Sequence, residues 1–302
     1  MRVRLSWFAI LVLMGTLPSL AAESGGRPKR WSFELGTMIG YHSNVFAMPN
    51  TNGQPTVAAS ISTLYLNGDL GTRHTGMYFG ARGSLYTGEA DISGERWGLL
   101  GLMLKSPATR IAAEYERSPT KVYVEEAGED FFELERVQLK ARLGESTKVW
   151  METRYGREEW TFDSAQLGQN AEVRVASATL RFPIARQLGL RASYDREWKV
   201  ADDPQYSRDG EGRSIAIEAE PSKRIRLFGR YMVRTRSYQD APVGSDNFAR
   251  EDTIEDATLT LRVEVGKNWG IRIEDSYKRA TSNLPDRNYH TILAKAGIFL
   301  TF

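Results

Sequence analysis

Apolar and polar residues alternate with a period of two along most of the chain. In segment 132–144, Val137, Leu139, Ala141 and Leu143 share one parity, while Arg136, Gln138, Lys140 and Arg142 share the other. Segment 224–238 sets Ile225, Leu227, Gly229, Tyr231 and Val233 against Arg226, Arg230, Arg234 and Arg236. Successive side chains of a strand point to opposite faces, so each segment has one apolar and one charged face. The pattern predicts fourteen strands, at about 31–42, 57–70, 73–86, 93–105, 109–118, 132–144, 147–160, 171–183, 187–199, 212–221, 224–238, 253–265, 269–280 and 289–302. No amphipathic helix pattern interrupts them.

The predicted connections alternate in length. Short ones contain Ser106-Pro107-Ala108, Glu145-Ser146, Ile184-Ala185-Arg186, Ser222-Lys223 and Gly266-Lys267-Asn268; long ones fall near 43–56, 119–131, 161–170, 200–211, 239–252 and 281–288. An even number of strands with alternating short turns and long loops is the habit of outer-membrane barrels. A soluble sandwich or barrel is the alternative, with its apolar faces buried together and its charges outside. The segment lengths favour the membrane form, since soluble strands average only ~5–6 residues. The expected fold is therefore an all-β, antiparallel, up-and-down transmembrane barrel of about fourteen strands.

The first 22 residues read as a signal peptide. Arg2 and Arg4 open it, Leu5–Leu17 is an apolar run too short to span, and Ser19 and Ala21 supply small residues for cleavage after Ala21 or Ala22. Residues 23–30 then form a short periplasmic lead, and 31–302 form the barrel. Loss of Arg2 and Arg4 takes the formal charge from +2 to zero. A neutral chain argues against nucleic acid as a partner. Zero Cys excludes a disulfide scaffold, a lipoprotein anchor and thiolate metal sites, and no cofactor is expected. A mean hydropathy of −0.43 excludes a bundle of transmembrane helices.

The last strand is the most specific local signal. Ile292, Ala294, Ala296, Ile298, Leu300 and terminal Phe302 share one face. This resembles the sorting signal that the barrel assembly machinery reads, with Ile298, Leu300 and Phe302 as its core. The surroundings implied are outer-membrane lipid and lipopolysaccharide.

In such a barrel the charged parity lines the lumen. The expected lining is Arg136, Lys140, Arg142, Arg154, Glu218, Glu220, Arg226, Arg230, Arg234, Arg236, Arg262, Glu264, Arg272 and Glu274. One reading is a basic ladder guiding an anionic solute or a saccharide. The near balance of acids and bases favours the other, a salt-bridge network that stiffens the barrel. Two aromatic girdles are also expected. Trp31, Phe182, Trp269 and Phe302 would form the periplasmic one. Tyr41, Trp97, Trp160, Trp198, Tyr238 and Tyr289 would form the outer one.

Two further chemistries are weighed. Loop carboxylates (Glu125, Glu126, Glu129 and Asp130; Asp202, Asp203, Asp209 and Glu211) could hold a divalent cation, but no full calcium-loop pattern is present, and solvated loops are the expected reading. Ser43, His290 and Asp286 could meet at the outer rim as an acyl-hydrolase triad acting on lipid. With only three His in the chain, an enzyme is not the expected outcome.

The run Gly40-Tyr41-His42-Ser43-Asn44-Val45-Phe46, and Asp286-Arg287-Asn288-Tyr289 before the last strand, resemble a group of porin-like outer-membrane β-barrels, some linked to exopolysaccharide export. His42 stands where that group usually has Asp. The resemblance implies a porin-like channel or export pore. Barrels of surface lipoprotein assembly modifiers, also read as fourteen-stranded, are a second candidate, which would bind a partner through outer loops. Those usually carry helical repeats ahead of the barrel, whereas only a short lead precedes the first strand here.

Overall fold

The structure is a computed structural model that describes residues 30–43, 58–72, 74–88, 95–123, 130–144, 148–162, 168–240, 249–284 and 287–302. The expected signal peptide lies outside these residues. Fourteen antiparallel strands form one closed barrel. They are β1 (Arg30–His42), β2 (Ala59–Gly71), β3 (Thr75–Gly88), β4 (Glu95–Lys105), β5 (Thr109–Tyr123), β6 (Asp130–Leu143) and β7 (Trp150–Phe162), followed by β8 (Ala171–Ala185), β9 (Leu188–Ala201), β10 (Arg208–Ser222), β11 (Ile225–Tyr238), β12 (Glu251–Glu264), β13 (Trp269–Ser282) and β14 (Tyr289–Thr301). Each strand pairs with its sequence neighbour, and β1 closes on β14 from Glu34 opposite Thr301 to His42 opposite Leu293. The connections at one rim are two to six residues long, and those at the other are six to sixteen.

The expected strands are all present, with informative differences at their ends. The alternation in β5, β8 and β10 was expected to stop at Ser118, Pro183 and Pro221. The strands continue past those points, across register shifts at Ser118/Lys121, Pro183/Ala185 and Ala219/Ser222. Pro119, Pro183 and Pro221 have no N–H for the ladder, and a bulge lets the strand carry on around each of them. β10 also starts four residues earlier than expected. The loop-like run Asp209-Gly210-Glu211-Gly212-Arg213 is strand, with its charged residues outward and its glycines buried. A Cβ on Gly212 would run into the Asp195 carboxylate and push it from its place beside Arg234.

The outside of the barrel carries a band of apolar side chains, interrupted on β13 by Asp275 just below Tyr277. Ile39, Leu102, Val137, Leu180, Ile217, Leu259, Ile271 and Ile298 are all among its exposed side chains. An apolar outside around a charged inside reverses a soluble barrel and is the arrangement of a transmembrane one. Trp31, Phe182, Trp269 and Phe302 ring the band at the short-connection rim, all exposed. The upper girdle keeps Tyr41 from the expected set and otherwise differs. It consists of Tyr41, Tyr115, Tyr155, Tyr194, Tyr231 and Tyr277. Tyr hydroxyls at such a boundary reach polar partners: that of Tyr115 donates to Glu135 (3.2 Å) and that of Tyr231 to Glu255 (2.8 Å). Above them lie exposed pairs such as Arg157–Glu172 (2.9 Å) and Arg174–Glu172 (2.7 Å). On β13, Trp269 and Tyr277 are eight residues apart. At ~3.3 Å per residue and ~40° tilt this spans about 20 Å, near the ~25 Å apolar band of outer-membrane barrels.

Of the other residues expected in the outer girdle, only Trp198 shares the outward parity of Tyr41, with Arg196 over its ring at 5.3 Å. Trp97, Trp160, Tyr238 and Tyr289 point inward. Trp160 packs with Phe132, Leu134, Phe162 and Val173, and Tyr289 with Ile254 and Ala280. These aromatics narrow the interior toward the long-connection rim instead of greeting lipid.

Candidate lumen site

The inward parity carries the charged residues, and most of them are paired across strands. On β6, Arg136 bonds Glu116 (2.8 Å) and Glu158 (2.6 Å), and Lys140 bonds Glu114 (2.5 Å). Glu114 also accepts from Tyr78 and Gln138. Farther round the barrel the ratio inverts, and single carboxylates serve two or three cations. Glu152 holds Arg142 (2.7 Å) and Arg154 (2.6 Å). Glu218 holds Arg181 (3.0 Å) and Arg191. Glu34 holds Arg262 and Arg272 (3.8 Å), and Arg272 also pairs with Glu274. Glu197 takes Arg208 (2.9 Å), Arg234 (3.6 Å) and Arg236 (3.5 Å), with Asp195 supporting Arg234 at 2.7 Å.

The remaining members of the expected lining are more open. Arg230 meets Asp256 at 2.9 Å. Arg226 and Glu220 stand 3.6 Å apart with more than half of each side chain exposed. Glu264 lies 3.9 Å from Arg262. Trp150, in none of the expected sets, is 3% exposed. Its ring is flanked by Arg142 (4.2 Å) and Arg191 (5.2 Å), a cation–π stack that fixes both guanidiniums. Its even parity, shared with Glu152, is the signal that turns it inward.

Two cavities follow this wall. One, of about 470 Å³ near the short-connection rim, is lined by seven arginines and two glutamates, including Arg142, Arg191, Glu218 and Arg226. The other, of about 390 Å³ at mid-height, has five arginines against Glu158 and Asp195. Seven arginines against two glutamates make the wall of the first cavity basic, and a basic wall around a space open to water favours anions.

The other candidate chemistries fare differently. Ser43 Oγ accepts a hydrogen bond from the Ile292 amide (2.9 Å), which ties it to the β1–β14 seam. His290 sits on the outer face beside Tyr277, with ring centroids 6.5 Å apart, and Asp286 lies outside the described residues. Glu125, Glu126 and Glu129 also lie outside them. Asp203 caps the turn Pro204–Tyr206, accepting from the Gln205 amide, while Asp209 and Glu211 are exposed on β10. On β14, Ile298, Leu300 and Phe302 are exposed on the outer face, and Phe302 and Phe33 exchange backbone hydrogen bonds of 2.9 and 3.2 Å.

No known family profile and no curated protein sequence matches the chain. Among solved structures, the anion-selective porin from Comamonas acidovorans superposes with a TM-score of 0.50 at 7% identity, covering 91% of this chain and 99% of the porin. OmpT, expressed in the outer membrane of Vibrio cholerae, gives 0.50 at 7% identity, over 93% of this chain and 99% of its own. At such identities the likeness is one of fold: this chain has the closed antiparallel barrel architecture of outer-membrane porins.

Proposed function

We propose that the protein is an outer-membrane porin-like channel or export pore whose lumen favours small anionic solutes, acidic saccharides among them. The observation that carries this reading is the basic excess of the cavity wall near the short-connection rim, seven arginines against two glutamates, with Glu218 shared by Arg181 and Arg191. The anion selectivity of the Comamonas porin is consistent with it. A role in exopolysaccharide export fits the short motifs around Tyr41 and Asp286. The exposed face of Ile298, Leu300 and Phe302 fits recognition by the assembly machinery.

The salt-bridge network and the channel are compatible, since pairing fixes the arginines around a space that stays open between them. Swelling of liposomes containing the purified barrel tests the proposal. A monosaccharide acid should enter several times faster than the neutral sugar of equal size. Equal rates would remove the anion preference, and no swelling with either would remove the pore.

A further inference from the structure

Among the described residues, arginines outnumber carboxylates most in the cavity at the short-connection end, and we propose that this mouth is a binding vestibule for a polyanionic chain bearing several carboxylates. This rests on the pore reading above and adds the solute class and the mouth at which it docks.

Arg142, Arg181, Arg191, Arg226, Arg262 and Arg272 converge on the cavity of about 470 Å³ at that end. The Arg226 side chain there is more than half exposed, and those of Arg191 and Arg272 are 32% and 29% exposed. Their exposed N–H groups keep donor capacity beside the ion pairs, and a guanidinium fork matches a carboxylate bidentately. The turns at the same rim extend the field. Among their described residues the charged ones are Lys148, Arg186, Lys223, Arg224 and Lys267, all basic and all exposed.

The opposite end differs. There the inward Arg208 and Arg250 are buried against the Tyr238 ring, paired with Glu197 (2.9 Å) and Asp252 (2.7 Å). Among the described residues, a chain with spaced negative charges therefore meets partly exposed arginines at the short-connection mouth and the buried pairs of Arg208 and Arg250 at the other. Several weak contacts along one chain reinforce each other, so a polymer binds far better than its monomer. Lipid headgroups cannot be the ligand of the cavity arginines, because these project into the lumen from the face opposite the apolar band. Short turns of such barrels face the periplasm, so the vestibule would take up a polyanion leaving the cell.

Two readouts on the full barrel test this. The first is anisotropy of a fluorescent oligogalacturonate with the protein in detergent, against a neutral dextrin of equal length. The acidic chain should bind at least about tenfold tighter, weaken as salt rises, and lose at least about tenfold in the Arg186→Glu/Arg226→Glu variant. Both positions are exposed, and folding of the variant is checked by its electrophoretic shift. Equal binding of the neutral chain, or unweakened binding by the folded variant, overturns the vestibule. The second readout is block of single-channel current in bilayers by unlabelled oligogalacturonate. Block should need at least about tenfold less from the short-connection side. Channels with no sided block overturn the vestibule; binding without any channel steps overturns the pore reading alone.

Discussion

Replacing Glu218 by Gln should lower stability and raise anion preference together. Glu218 joins Arg181 (3.0 Å) and Arg191, and the three side chains are 19–32% exposed. An exposed ion pair is worth ~0–1 kcal/mol, and breaking a buried one costs ~3–5 kcal/mol. At intermediate exposure, with two arginines left facing each other, the loss should be about 1–3 kcal/mol. The same change adds one net positive charge to the lumen. A unit charge ~7 Å from the solute path in a water-like medium is worth about 0.6 kcal/mol, roughly one RT, or a near threefold change in local anion concentration; physiological salt reduces this to about 1.5-fold. Urea unfolding followed by gel mobility reads the first effect, and the reversal potential in a KCl gradient reads the second. Arg191→Gln is the control. It should lower anion preference while costing less stability, because Glu218 keeps Arg181. Unchanged stability in Glu218→Gln, or a shift toward cations, would refute the shared-carboxylate account.

Three other substitutions probe the membrane face and the packing. Ile273→Arg, midway between Trp269 and Tyr277 on the outer face of β13, should cost about 2–4 kcal/mol in lipid, and Thr281→Arg, above the Tyr girdle, about 0–1 kcal/mol; equal costs in vesicle refolding titrations would contradict the placement of the apolar band. Gly297→Ala puts a Cβ 1.9 Å from the Thr37 carbonyl oxygen across the closing seam, where only backbone can yield; a loss of about 2–3 kcal/mol is expected from urea unfolding. Trp150→Ala removes the ring between Arg142 and Arg191 and should cost about 3 kcal/mol by the same assay while broadening single-channel conductance.

Much of the fold is legible in the sequence, because a strand's period of two is local and a barrel uses it directly. Val137 against Arg136 already assigns the two faces of β6. The continuations past Pro119, Pro183 and Pro221 were less legible, since a bulge depends on the neighbouring strand and not on the segment itself. The upper girdle shows a second limit. Nearness to a strand end reports height in the membrane, whereas facing is set by parity. Trp160 shares parity with Glu158 and points inward, and its Nε1 donates to that carboxylate (2.9 Å); Tyr155 shares parity with Met151 and points outward. The net charge of the chain misled for a related reason. Near-neutrality suggested a balanced interior, but acids such as Glu133, Glu159 and Glu172 lie outside, above the girdle, while arginines gather in the cavity. Which carboxylate serves which arginine depends on register between strands, and no spacing within one strand encodes it.

The central claim is a conducting lumen with a basic wall. The most direct test is the reversal potential of single channels of the purified barrel in a planar bilayer under a tenfold KCl gradient. Discrete current steps with a potential displaced toward that of chloride are predicted. Steps displaced toward potassium, or a membrane that stays silent with folded protein inserted, would contradict it.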